Sequence, residues 1–143
     1  MEPFYYNATV VRVVDGDTIR LDIDLGFDII LKNQSVRLYR VDTPECRTKN
    51  LKEKAAGLLA KRVVKRFIDQ GTKVIIKTSL DTKGKFGRIL GTIITGDGIN
   101  INKYLINNNY AVEYHGQTID DIRALHEKNY QILVERMELQ ANI

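Results

Sequence analysis

The alternation of polar and apolar residues near the start of the chain restricts the fold more than any other feature of the sequence. Residues 18–25 alternate strictly, which is typical of a half-buried β-strand. Residues 5–13, rich in Tyr, Val and Thr, predict a strand before it. Residues 29–41 predict a third strand, which Pro44 cannot continue. Three strands joined by short turns predict an antiparallel meander.

The spacing of apolar residues then becomes helical, and it predicts a helix over residues 51–68. Asn50 is the expected N-cap, Glu53 follows in the capping-box position, and Gly71 is the expected C-terminal stop. The apolar stripe of this helix consists of Leu51, Ala55, Leu58, Leu59, Val63, Val64, Phe67 and Ile68.

The remaining sequence predicts two strands and two helices. The strands cover residues 73–79 and 89–95, and a short helix covers residues 101–108. Thr118 is the expected cap of a last amphipathic helix. The apolar positions of that helix are Ile119, Ile122, Leu125, Leu133 and Met137.

The predicted order of elements indicates a fold class. Five strands with a helix between the third and the fourth is the layout of an OB-fold, a Greek-key barrel that often binds oligonucleotides. We therefore expect a mainly β fold with helices (α+β), a five-stranded OB-fold barrel plus three helices, in one domain over residues 1–143.

Composition excludes several classes of protein. No apolar run approaches the roughly 20 residues of a membrane-spanning helix, so we expect no membrane partner. A single cysteine, Cys46, excludes an intrachain disulfide and a multi-cysteine zinc site. The first residues lack the basic and apolar segments of a signal peptide, which favours a cytoplasmic or other intracellular location; removal of a leader would instead indicate a secreted protein.

Positive charge is concentrated in the middle of the chain, although the net charge is only +4. Residues 37–88 hold fifteen Lys and Arg against five Asp and Glu, whereas the two flanking segments are each acidic. Such a block is what a polyanion partner requires, because neutralised phosphates release counterions. A solvated basic helix face is the commoner explanation of a charge run alone.

Two short acidic segments are candidates for a site. Asp15-Gly16-Asp17-Thr18 follows the first strand, and Asp42-Thr43-Pro44-Glu45 follows the third. Each segment alone is commoner as a turn. A meander, however, brings the first turn and the end of the third strand to one rim of a barrel. Three carboxylates, of Asp17, Asp42 and Glu45, would then lie close together, which is unfavourable unless a cation joins them or one is protonated.

Oxygen ligands without clustered His or Cys select a hard cation, calcium or magnesium. Two carboxylates with a backbone carbonyl and waters would leave room for a phosphate oxygen and an attacking water. Glu45 is then the candidate general base. Arg37, on the same strand as Asp42, and Arg88, at the start of the fifth strand, would stabilise charge on a phosphoryl group.

Three segments together resemble the staphylococcal nuclease (thermonuclease) family. They are residues 9–18, ending in Asp-Gly-Asp-Thr; residues 36–45, with Arg-x4-Asp-Thr-Pro-Glu; and residues 85–88, ending in Gly-Arg. The resemblance extends from about residue 7 to about residue 114.

This resemblance implies an OB-fold nuclease, expected as a monomer, that cuts DNA and/or RNA with Ca²⁺ and leaves 3′-phosphate ends. Asp17, Asp42 and the carbonyl of Thr43 would ligate the ion, and Glu45 would activate water. Arg37 and Arg88 would hold the phosphate. The implied substrate-binding residues are Lys85, Phe86 and Tyr114.

The sequence departs from the family pattern in places. Phe86 stands where the family often has Tyr, so a hydroxyl contact is lost, although the ring can stack on a base. The loop after Glu45 is short. His115 and His126 lack metal-ligand spacing, and we interpret both as unremarkable; Cys46 is interpreted as a passive thiol.

Two alternatives to a nuclease remain at this point. A non-catalytic OB-fold module that binds nucleic acid would explain the basic block, but it would not need the acids and arginines. A protein-interaction domain with an incidental acidic cluster would show no calcium-linked stabilisation.

Overall fold

The computed structural model describes residues 4–79 and 88–141, with only the backbone of Arg88. The described elements, in chain order, are β1 Tyr5–Asp15, β2 Thr18–Asp24, β3 Ile30–Leu38, β4 Val41–Asp42, α1 Leu51–Phe67, β5 Lys73–Ser79, β6 Arg88–Thr95, α2 Ile101–Asn107, β7 Val112–Glu113 and α3 Ile119–Glu135. The predicted order of three strands, a helix, two strands and two helices is confirmed for the longer elements, and the short strands β4 and β7 are additional.

Five of the strands close into a barrel in the order β1-β2-β3-β6-β5. β3 and β6 are parallel, and the other neighbouring pairs, including the closing pair β1 and β5, are antiparallel. A closed, mixed, five-stranded barrel with three helices confirms the predicted α+β OB-fold.

The third predicted strand is wrong in its length. It ends at Leu38, because Arg40 adopts a left-handed backbone conformation (φ +58°) that turns the chain. The chain then re-enters a separate two-stranded sheet, in which Asp42 pairs with Val112. This turn places Asp42 at the rim of the barrel instead of in its wall.

The core fills the barrel and continues under α1. Its fully buried side chains include Ile19, Leu21, Val36, Ile76 and Ile93 from the strands. α1 contributes apolar residues on one face, most of them small, namely Ala56, Leu59, Ala60, Val63 and Val64. Leu51 and Leu58 of the predicted stripe are exposed. They lie off the face of α1 that packs against the barrel, where the small residues allow a close approach.

α3 packs less completely than its pattern predicts. Tyr130 and Leu133 are buried, but Ile119 and Leu125 are exposed, and Met137 lies beyond the end of the helix and is also exposed. None of the helices in residues 4–79 and 88–141 has the length and apolar character to cross a membrane.

Helix starts follow the predicted caps. The side chain of Asn50 accepts a hydrogen bond from the backbone nitrogen of Glu53, and Thr118 accepts one from Asp121. α1 ends at Phe67 with Ile68 as its C-cap, and Gly71 lies in the following turn with φ +86°.

A buried amide fixes the turn between β3 and β4. The side-chain nitrogen of Asn102 donates to the carbonyls of Tyr39 and Gly91, both at 3.1 Å, and its oxygen accepts from the backbone nitrogen of Ile93. These bonds connect α2 to β6 and to the turn, so they help to hold the segment between Arg37 and Asp42.

Candidate active site

The β1–β2 turn and the end of β3 lie side by side at one rim of the barrel. Thr18 pairs with Arg37 across β2 and β3, and the backbone nitrogen of Leu38 donates to the carbonyl of Asp17 at 2.8 Å. The predicted meeting of these two distant segments is therefore confirmed.

Arg37 lies between two of the predicted acids. Its Nη2 is 3.3 Å from Oδ1 of Asp42 and 3.9 Å from Oδ2 of Asp17. The backbone nitrogen of the buried Thr43 donates to the same Asp17 oxygen at 3.3 Å. One guanidinium thus partly neutralises two carboxylates that would otherwise repel each other.

Glu45 belongs to the same acidic cluster. Partial burial raises its pKa, and the carboxylates of Asp17, Asp15 and Asp42 raise the pKa further, although the residue also opens to solvent. A carboxylate whose pKa is raised by neighbouring acids is a better proton acceptor than an isolated one. The arrangement therefore suits a general base beside a site of concentrated negative charge.

The backbone of Pro44 and Glu45 lies against α1 at close range. A Cβ at Gly57 would lie 2.6 Å from the carbonyl oxygens of Pro44 and Glu45, and one at Gly16 would lie 2.9 Å from the side chains of Thr43 and Ala60. Both glycines allow backbone approaches that a side chain would prevent.

The structure describes only part of the remaining predicted site residues. Arg88 pairs by its backbone with Ser35 of β3, the strand that carries Arg37, and its side chain lies outside the described atoms. Lys85 and Phe86 lie outside the described residues. Tyr114 is partly exposed and donates from its backbone nitrogen to the carbonyl of Arg40 at 2.9 Å.

Cys46 lies behind the cluster, where it is buried. Burial raises the pKa of the thiol, the adjacent Asp15 carboxylate raises it further, and Lys61 acts in the opposite direction. A buried thiol with a raised pKa stays protonated and unreactive at neutral pH, in agreement with the passive role expected from the sequence.

His126 is a functional candidate that the sequence interpretation missed. Its Nε2 is 2.7 Å from Oδ2 of Asp42, although the two residues are 84 positions apart. The interpretation of His126 as unremarkable is therefore wrong. Spacing rules cannot detect this contact, because it depends on how α3 packs against the rim.

A cleft of about 840 Å³ opens beside the acids, between the start of α1 and α3. Asp42, Thr43 and Glu45 form one end of the cleft. Its other walls combine apolar and cationic side chains, among them Ala56, Ile119, Ile122, Lys52, Arg123 and Lys128, with the acids Glu53 and Glu127.

Side chains alone do not form a complete metal cage here. Within residues 4–79 and 88–141, no three His, Cys, Asp or Glu side chains converge closely enough to hold an ion. The donors beside Arg37 are the hard oxygens of Asp17 and Asp42. This donor set suits a hard cation that keeps several water ligands.

A barrel with the carboxylates of Asp17 and Asp42 and the guanidinium of Arg37 at one rim is an OB-fold domain with a charged site at that rim. The family described as staphylococcal nuclease homologue matches residues 35–137, which include Arg37, Asp42, Glu45 and Arg88. The chain belongs to this family.

Curated relatives carry names that agree with this membership. The chain is 34% identical over 131 residues to endonuclease YhcR of Bacillus subtilis (strain 168), covering 88% of this chain and 10% of that protein. An uncharacterized endonuclease of Escherichia coli is 29% identical, covering 81% and 66%. The thermonuclease of Staphylococcus intermedius is 36% identical over 88 residues, covering 62% and 48%. The chain thus spans between a tenth and about two thirds of these relatives.

Proposed function

We propose that this chain is a calcium-dependent nuclease that hydrolyses phosphodiester bonds of DNA and/or RNA and leaves 3′-phosphate ends. The observation that carries the proposal is the position of Arg37, within 4 Å of both Asp17 and Asp42, two acids whose charges also act on Glu45. Family membership and the nuclease names of the relatives support it.

The residues present fit a hard cation. Asp17 and Asp42, with the backbone carbonyl of Thr43, would hold Ca²⁺, and mutual repulsion of the acids would be relieved on binding. Bound Ca²⁺ would polarise a phosphoryl oxygen as a Lewis acid.

The chain's own residues perform the remaining chemistry. Glu45 accepts a proton from a water molecule, whose oxygen bonds to phosphorus while the P–O5′ bond breaks and O5′ takes up a proton from solvent. Arg37 and Arg88 stabilise the charge that grows on the phosphoryl oxygens. Lys85, Phe86 and Tyr114 bind the substrate. We expect the active form to be a monomer.

The test is cleavage of plasmid and of an end-labelled single-stranded oligonucleotide, with Ca²⁺ and with a chelator. We expect cleavage only with Ca²⁺, 3′-phosphate products, and a fall of about 10²–10⁴-fold for Glu45→Gln, the usual contribution of a general base. Glu113→Gln, the same change at an exposed site on β7, is the control and should leave the rate unchanged.

Two outcomes would overturn the proposal. Cleavage that persists in chelator would contradict the metal-dependent mechanism. Salt-sensitive binding without cleavage in any divalent ion would favour the alternative, a non-catalytic OB-fold module that binds nucleic acid.

A further inference from the structure

The carboxylate of Asp42 has a different partner on each oxygen. Oδ2 lies 2.7 Å from Nε2 of His126, and Oδ1 lies 3.3 Å from Nη2 of Arg37. A carboxylate oxygen accepts hydrogen bonds, so Nε2 carries the hydrogen and donates it. With both oxygens engaged, the plane of this carboxylate is fixed.

The contact is partly protected from solvent. The side chain of His126 is 18% exposed and that of Asp42 is 27% exposed. Exposed ion pairs contribute little, since solvent screens them and both side chains remain free to move. A short hydrogen bond between two mostly buried groups constrains orientation much more strongly.

Polar contacts hold α3 at the distance that this bond needs. Asn129, three residues after His126 and on the same helix face, donates from Nδ2 to the carbonyl of Ala111 at 3.2 Å. The next residue, Val112, pairs with Asp42 itself across β7 and β4. The helix that carries the imidazole and the strand that carries the carboxylate are thus fixed to a common element.

We propose that His126 is a positioning residue, which orients the Asp42 carboxylate for binding of a divalent cation. This inference rests on the proposed function. Carboxylates that bind metals are commonly oriented by a hydrogen bond on the oxygen side facing away from the ion, and loss of such a partner typically lowers metal affinity or activity 10–100-fold. His126 acts through Asp42, the residue whose carboxylate its Nε2 contacts at 2.7 Å.

The experiment compares His126→Ala and His126→Gln with the wild-type chain. Calcium titration of the thermal midpoint gives an apparent Kd without any turnover, and cleavage of a single-stranded oligonucleotide gives kcat and KM. We expect His126→Ala to raise the apparent Kd for Ca²⁺ about 10–100-fold. His126→Gln should restore much of the affinity, because its Nε2 can donate to the same oxygen. The KM for DNA at saturating Ca²⁺ should stay unchanged.

His115→Ala is the matched control, since it removes the other histidine, which lies in the exposed segment before α3, and it should not change the calcium affinity. Melting in chelator checks that each variant folds; if His126→Ala does not, His126→Phe fills the same space without an N–H group and replaces it. An unchanged Kd in the folded variant, while wild type is stabilised by Ca²⁺, would overturn the inference and leave the nuclease proposal intact. A wild-type chain with neither calcium-linked stabilisation nor cleavage would overturn the proposed function itself.

Discussion

At the scale of single residues, Gly57 controls where the proposed general base lies. A Cβ at this position would come within 2.6 Å of the carbonyl oxygens of Pro44 and Glu45, closer than real Cβ contacts. These are backbone atoms, which cannot rotate away as the end of a side chain can. The position of Glu45 therefore depends on the missing side chain at Gly57.

We expect Gly57→Ala to move either α1 or the backbone of Glu45. Alanine normally stabilises a helix by about 1 kcal/mol relative to glycine. A steric clash typically costs about 1–3 kcal/mol, so a Gly57→Ala variant less stable than wild type would show that the clash outweighs the helix preference. A displaced base should lower kcat by up to roughly 100-fold. Melting and cleavage rates measure both effects. Gly96→Ala is the control, because its Cβ would meet no atom within 4 Å, and a more stable, fully active Gly57→Ala would contradict the argument.

The roles of individual site residues were accessible from the sequence only where the motif itself carries them. Asp17, Asp42 and Glu45 lie on segments whose types and order are distinctive. His126 has no such motif, and its contact with Asp42 exists only because of helix packing. The same holds for Gly57, whose importance appears once α1 lies against the loop.

At the scale of elements, the end of α3 is attached to the region after α2 through Tyr110. Its phenol donates to Glu138, which also bonds to Arg136 at 2.7 Å, and its ring stacks on Tyr104. Burial, followed by the contact with Glu138, raises the pKa of Tyr110 to about 12. The neutral phenol is therefore the form that the folded state favours.

This raised pKa predicts how stability changes in alkali. The contribution of Tyr110 is fully present below about pH 10, the ordinary pKa of tyrosine, and is lost as the pH rises toward 12. The difference in unfolding free energy between wild type and Tyr110→Phe should therefore shrink over that window. Urea unfolding at several pH values measures it, with Tyr114→Phe as the control for an exposed phenol. A difference that stays constant with pH would contradict this assignment.

The main elements could be predicted because each has its own periodicity. β5 spans the predicted residues 73–79, and α2 ends within one residue of its predicted boundary. β4 and β7 could not be predicted, because a two-residue strand has no period and forms only through tertiary pairing. The exposure of Ile119 and Leu125 was missed for a related reason: an apolar stripe shows that a face can be buried, but not how much surface is available to cover it.

At the scale of the whole molecule, the basic block of residues 37–88 includes the exposed surface of α1. Lys61 lies close enough to Cys46, the neighbour of Glu45, for its charge to act on that thiol. Arg66 is five residues further, about 140° around the helix, and is exposed. Substitution of these two cations therefore distinguishes the two explanations of the basic block, which are contact with a polyanion and a solvated helix face.

We expect binding of single-stranded DNA to depend on Lys61 and not on Arg66. Lys61→Gln should weaken binding and reduce the slope of log K against log salt by about 0.7, the value for one phosphate contact with a single strand, whereas Arg66→Gln removes the same charge without this effect. Measurements in the Glu45→Gln background avoid cleavage during titration. Equal salt slopes for both variants and their parent would assign Lys61 to the solvated helix face. An equal loss of DNA affinity in both variants would indicate a general effect of positive charge without a defined path for the DNA past the site.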